Sequence, residues 1–202
     1  MKNLLLSVFI LFSINIYSQD TIFLKNGTKI IPRGGVSKYN GRPLTEVGSD
    51  YISYALPNSS WSKSVKFKDL DYVVIGDKML KTFELKYKDK PKRTKPLGHF
   101  VLIETGKYRL ISITYSGSLI VPLVKNFVID NDNTLVESAN YIDGTTKNDA
   151  IKKQKVVELI KKYFSNIKEE MEFLDECILR NKSDDYSGIS DYLNTHSYKK
   201  YN

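Results

Sequence analysis

Residues 134–180 read TLVESANYIDGTTKNDAIKKQKVVELIKKYFSNIKEEMEFLDECILR, and the hydrophobic period of the chain changes inside them. Up to residue 141 the pattern is that of a half-buried strand, with a period of two. Further on, Val156, Ile160, Tyr163, Ile167, Met171, Leu174 and Ile178 recur at spacings of 4, 3, 4, 4, 3 and 4. That is one face of an α-helix. Lys152, Lys153, Lys161, Lys162 and Glu169 fall largely off that face. The expected class is therefore α+β, with a β-rich N-terminal and middle region and a helical tail over 148–196. The unbroken phase of the stripe predicts one long helix over 148–180. Asn166 with Glu169 offers an alternative, a capping box that starts a second helix. Ser183 or Asp184 caps a further short helix that turns Tyr186, Ile189 and Leu193 inward.

Upstream, residues 97–145 read as an antiparallel meander. Strands at 99–104 and 108–115 flank Thr105, Gly106 and Lys107. Strands at 119–124 and 126–129 follow, and a polar turn at 130–133 leads into 134–137. Residues 20–85 form a second β-rich module. Asn26-Gly27 joins strands at 20–25 and 28–31, because a type I′ turn needs positive φ at both central positions. Pro32, Gly34 and Gly35 break that pairing, and 32–49 reads as an irregular loop. Further strands fall at 51–54, 61–67, 72–75 and 79–87. Trp61, Lys63, Val65 and Phe67 share a face of the second of these. Short strands at this spacing predict a small curled sheet or open barrel.

Between the two β segments, residues 86–96 read KYKDKPKRTKP. Lys86, Lys88, Lys90, Lys92, Arg93 and Lys95 stand there with Asp89 as the only acid. This basic loop or linker is the candidate contact for an anionic partner. A solvated loop whose charges blunt a sheet edge is the plainer alternative.

The chain has 202 residues, 41% of them hydrophobic and 27% charged, which suits a globular protein able to bury a core. Residues 1–19, MKNLLLSVFILFSINIYSQ, carry Lys2, an apolar middle and a polar exit. They read as a cleaved secretory signal peptide, because the apolar stretch is shorter than the roughly 20 residues of a membrane span. The expected location is the periplasm or the exterior. Removing Lys2 with the leader lowers the net charge from +8 to +7. An exported basic protein tends toward anionic lipid or glycan of the envelope, or an envelope protein, and not toward nucleic acid.

No catalytic constellation emerges. His99 and His196 have no second ligand at metal spacing, and no cofactor motif is present. Asp130, Asn131, Asp132 and Asn133 open like a calcium loop, but Leu135 and Tyr141 occupy the positions of its Gly and Glu. Cys177, the one cysteine, excludes an intramolecular disulfide and reads as a buried apolar residue. With His196 it makes the only thiol–imidazole candidate. Glu84 and Glu104 are the acids a hydrolase site could draw on, with nothing that selects them.

Three stretches carry a resemblance. DTIFLKNGTKI at 20–30, EVGSDYISY at 46–54 and a strand over 65–74 are similar to the β-module that follows the signal peptide in small, uncharacterised exported proteins of the Bacteroidota. Pro32-Arg33-Gly34-Gly35 stands where those proteins have a lysine–valine strand. The resemblance implies an exported β-module and no activity. The expectation is a non-enzymatic binding or envelope-associated protein. The alternatives are a hydrolase acting on envelope material and an accessory subunit of an envelope complex.

Overall fold

A computed structural model describes residues 20–32, 35–36, 38–39, 42–43, 45–46, 50–55, 62–90, 92–116, 122–142, 146–181 and 187–201. The expected leader at 1–19, Trp61 and the cap candidates Ser183 and Asp184 lie outside the described residues. The strands are β1 (Thr21–Leu24), β2 (Lys29–Ile30), β3 (Lys38–Tyr39), β4 (Arg42–Pro43), β5 (Thr45–Glu46), β6 (Tyr51–Ala55), β7 (Ser62–Lys66), β8 (Leu70–Ile75), β9 (Lys78–Phe83), β10 (Leu97–Glu104), β11 (Tyr108–Ser116), β12 (Leu123–Asp130), β13 (Leu135–Ile142) and β14 (Lys199–Lys200). The helices are α1 (Lys147–Phe164), α2 (Lys168–Arg180) and α3 (Ser187–Thr195).

Eight strands hydrogen-bond in the order β13-β12-β11-β10-β9-β8-β1-β2, while β14 pairs with β10 and β5 with β11. This corrects the expected curled sheet or open barrel. The sheet is open, with β13 and β2 at opposite ends of the strand order. Two features explain the difference. The free edge of β9 is taken by β10, from Leu97 opposite Phe83 to Val101 opposite Met79, so the first strands run on into the meander. β6 and β7 pair with each other in a separate two-stranded sheet. Their Ile52, Tyr54 and Val65, with Phe67, pack against Ile22, Leu70, Val73, Leu80 and Phe100. The strands that closure would need are thus spent as a cover over the sheet.

The β1–β2 hairpin forms where Asn26-Gly27 predicts it, with a different turn. Gly27 has φ 84°, whereas Asn26 is not among the positive-φ residues. The Leu24 amide donates to the Thr28 carbonyl at 2.9 Å and the Gly27 amide to the Leu24 carbonyl at 2.9 Å. Lys25, Asn26 and Gly27 therefore make a three-residue loop that needs only one left-handed residue.

The central strands are apolar on both faces. Leu102, Leu110, Val124 and Val128 pack with Val156, Ile160, Phe164 and Leu174 of the helices. Val101, Ile111, Ile113, Phe127 and Ile129 point the other way and form a second cluster with Phe83 and Leu85. Each fully buried Leu or Ile contributes about 1.5–3 kcal/mol relative to exposure, so both faces demand a cover.

The helical stripe is core, as its spacing predicts, but it spans two helices. Helix α1 ends at Ser165, and Ile167 takes an extended conformation (φ −97°, ψ 94°) as the N-cap of α2 with no side-chain cap bond. Ile167 is 8% exposed and stays in the helix-side core. The break thus costs little burial, which is why the stripe keeps its phase across it. Helix α1 opens on a capping box between Thr146 and Asp149 that the sequence reading does not single out. Helix α3 crosses α2 closely at Gly188, where an added Cβ would lie 2.4 Å from the Ile178 Cα and 2.5 Å from the Cys177 carbonyl oxygen. Backbone cannot yield as a side chain can. Gly188→Ala is expected to destabilise the protein by about 2–3 kcal/mol in urea unfolding; an unchanged midpoint would contradict the close crossing.

Candidate functional site: a basic segment laid across the sheet

After Phe83 the chain leaves β9 and crosses the sheet face opposite the helices. Phe83 and Leu85 are buried, and Tyr87 packs against the same cluster. At its far end Lys86 bridges in parallel with Thr134, beside the β12–β13 turn. The Lys86 amide donates to the Asn133 carbonyl at 3.0 Å, and the Leu135 amide donates to the Lys86 carbonyl at 2.8 Å. The return limb is tied to the outgoing one. The Thr94 amide donates to the Leu85 carbonyl, and the Leu85 amide to Thr94 Oγ1, both at 2.9 Å. Arg93 donates to the Glu84 carbonyl at 3.2 Å and the Asp132 carbonyl at 3.4 Å. Alternation alone accounts for the outcome: residues 83, 85 and 87 face the sheet, so Lys86 and Lys88 face water.

The six basic residues singled out in the sequence are all exposed. Arg93 serves as a clasp for the segment. Lys86, Lys88, Lys92 and Lys95 make no ion pair among the described residues, and Lys90 lies over the Tyr87 ring, 5.4 Å from its centroid. Two residues that the sequence reading did not attach to this region join it on the same face. Tyr115 packs against the cluster beneath Tyr87, and Lys125 lies over the Tyr115 ring at 5.1 Å. Burial first, and the nearby Tyr87 second, raise the Tyr115 hydroxyl above its usual pKa. The signal was available in the strand period, which puts Tyr115 with Ile111 and Ile113, and Lys125 with Phe127 and Ile129.

The other candidates are absorbed by the fold. Asp130 spends its Oδ1 on the amides of Asp132 and Thr134 at 2.9 and 2.8 Å, the work of a turn. No group of metal-ligating side chains occurs among the described residues. His99 is 2% exposed, edge-on to Phe83 and Phe127, and its burial lowers its pKa to about 4. Cys177 is buried, and burial raises its thiol pKa, the opposite of activation. Its sequence partner His196 is committed elsewhere, to Glu170. Glu104 pairs with Arg109 at 3.5 Å and accepts from Tyr198 at 3.2 Å.

Among the described residues Glu170 is the carboxylate with the most strongly lowered pKa, and it is not legible in the sequence because a glutamate inside the predicted helix over 148–180 reads as surface charge. It is fully buried. Its Oε2 meets His196 Nε2 at 2.7 Å and accepts from the Tyr192 hydroxyl at 2.8 Å. Its Oε1 accepts from the Tyr201 hydroxyl and pairs with Lys199 Nζ at 3.2 Å. Burial alone would raise this carboxyl, but the hydrogen bond and charge of His196 and the two tyrosine hydroxyls outweigh it and hold it at about 2. The cluster fastens the last strand, whose Tyr201 amide donates to the Glu104 carbonyl at 2.8 Å. Tyr201 also borders a groove of about 490 Å³ whose acids, Glu169 and Glu172, stand three apart on α2 and so are neighbours on one helix face, not acids on opposing walls of a cleft. A groove of about 520 Å³ between β13 and α1 is lined by charges of both signs, with Glu137 held by Lys162 at 2.6 Å.

No family model matches the chain, and neither do any curated protein or solved structure.

The two perturbed groups separate by pH. His99 binds its proton less readily folded than unfolded, so stability falls as pH drops from 6.5 toward about 4. Glu170 holds its charge more tightly when folded, so its contribution is complete above 4.5 and is lost as pH falls toward about 2. Urea unfolding across this range should show His99→Phe flattening the upper slope and Glu170→Gln the lower one. A wild-type slope in either variant would contradict the assignment.

Proposed function

We propose that the protein is an exported, non-enzymatic binding protein that engages an anionic partner at the cell envelope through the basic segment. One observation carries the reading. Five lysines, Lys86, Lys88, Lys90, Lys92 and Lys95, stand exposed and without an acidic partner among the described residues, on a segment whose backbone is tied by hydrogen bonds at Leu85, Lys86, Tyr87, Lys90 and Thr94. An ordinary solvated loop would present its charges on mobile chain and lose entropy on binding. Here that ordering is already supplied by folding. Unpaired cations on a fixed face raise the local concentration of polyanions and speed their capture. The export half of the proposal rests on residues 1–19 and on the resemblance at 20–30. Among the described residues, no helix is long and apolar enough to cross a membrane.

Screening provides the test. The Debye length shrinks from about 14 Å at about 50 mM salt to about 4 Å at about 500 mM, so retention on phosphatidylglycerol vesicles or on an acidic glycan should fall steeply over that range. The triple variant Lys88→Gln, Lys92→Gln, Lys95→Gln should bind both at least about tenfold more weakly while melting normally, since these side chains touch nothing that folds the chain. Retention indifferent to salt and to the triple substitution would reject the proposal.

A further inference from the structure

Lysines over aromatic rings are common in this molecule, and most of them are already spent. Lys162 is paired with Glu137. Lys199 is paired with Glu170. Lys153 and Tyr141 are both buried. Lys107 lies over Tyr108, whose ring is edge-on to Tyr163. Lys29 lies over Phe23, whose ring stacks on Tyr72. Two pairs differ. Lys90 over Tyr87 and Lys125 over Tyr115 each combine a half-buried ring that stacks on no other ring with an ammonium that has no acidic partner, among the described residues. Both rings pack on one apolar cluster, so both are held on the same face of the sheet.

We propose that these two lysine–tyrosine pairs form a binding site for an acidic oligosaccharide. The ammonium that lies over each ring swings to a carboxylate or phosphate substituent at the rim of a sugar, and the ring face it uncovers receives the C–H face of that sugar. Two pairs on one face suit a chain of sugars and not a single residue. Asp89, exposed within the segment, supplies an acceptor for hydroxyl groups. The composition of the surface favours sugar over bilayer. A membrane-docking face adds apolar side chains that enter the lipid. Among the described residues the exposed large apolar side chains are Ile31, Tyr51, Ile151 and Leu179, none of them in the basic segment or on β11 or β12. The inference rests on the anionic-partner reading and narrows it to a ligand class.

The experiment titrates the full chain with a hexameric oligogalacturonate, with a neutral oligosaccharide of equal length, and with phosphatidylglycerol vesicles. The expected result is binding of the acidic sugar, with the neutral sugar far weaker. Tyr87→Leu and Tyr115→Leu, which leave the charge unchanged, should each weaken it by about tenfold. The double variant Lys90→Gln, Lys125→Gln should weaken it at least as much, and because these ammonium groups are not needed for folding, its loss does not depend on stability. Wild-type affinity in the tyrosine variants, with loss in the variant lacking Lys88, Lys92 and Lys95, would overturn the sugar site and leave the anionic reading standing. Binding to vesicles alone would also overturn it. Binding to no anionic probe would reject both.

Discussion

The central strands β10, β11 and β12 are apolar on both faces, and this constraint organises the rest of the molecule. A sheet with one apolar face needs one covering layer; a sheet with two needs a second. The helices cover one face at the meander end, and the β6–β7 hairpin covers it at the other. Among the described residues no helix packs on the opposite face. Phe83, Leu85 and Tyr87 are drawn across it instead, and the basic residues that alternate with them are turned to water. The segment that carries the charge is in place because its apolar neighbours are needed there. Core formation and the presentation of the cationic face are one event.

The C-terminal strand depends on the same sheet. β14 pairs with β10 at Ile103 and Glu104, beyond the reach of β9. The tyrosines on either side of it divide between the two faces: Tyr198 joins the cluster under the basic segment, and Tyr201 packs on the helix side. The buried Glu170 then secures the strand from above through His196, Lys199 and Tyr201. A buried carboxylate is tolerable only when its donors are in place. Here four donors converge from α3 and the strand that follows it, which fixes the position of the chain end relative to α2.

How legible this was in the sequence depends on the range of each interaction. Local grammar was readable in the hairpin at Asn26-Gly27, the stripe from Val156 to Ile178 and most of the meander from 97 onward, where the expected break between strands at 119–124 and 126–129 is absent because Lys125 continues the ladder of β12 opposite Ile113 and Asn140. The pairing of β9 with β10 was not, because an excursion over 84–96 separates them and nothing local says that the strands rejoin. The break at Ile167 was hidden because the residue stays in the core and the stripe keeps its phase. Glu170 was hidden because its donors come from residues 192–201, and a glutamate in the first turn of a helix ordinarily faces solvent. The six cations were legible as a charged run. Their fixation was not, since it comes from Asp132, Asn133 and Leu135 on a turn about 40 residues away.

The cationic face exists only if the basic segment is a fixed layer of the fold. Amide hydrogen exchange at Leu85, Lys86 and Thr94 measures this directly, because each amide has a named acceptor: Thr94 Oγ1, the Asn133 carbonyl and the Leu85 carbonyl. Protection at these amides comparable to that of strand β11 is the predicted result. Exchange at the rate of free chain would mean that the segment does not cover the sheet, and would contradict the account.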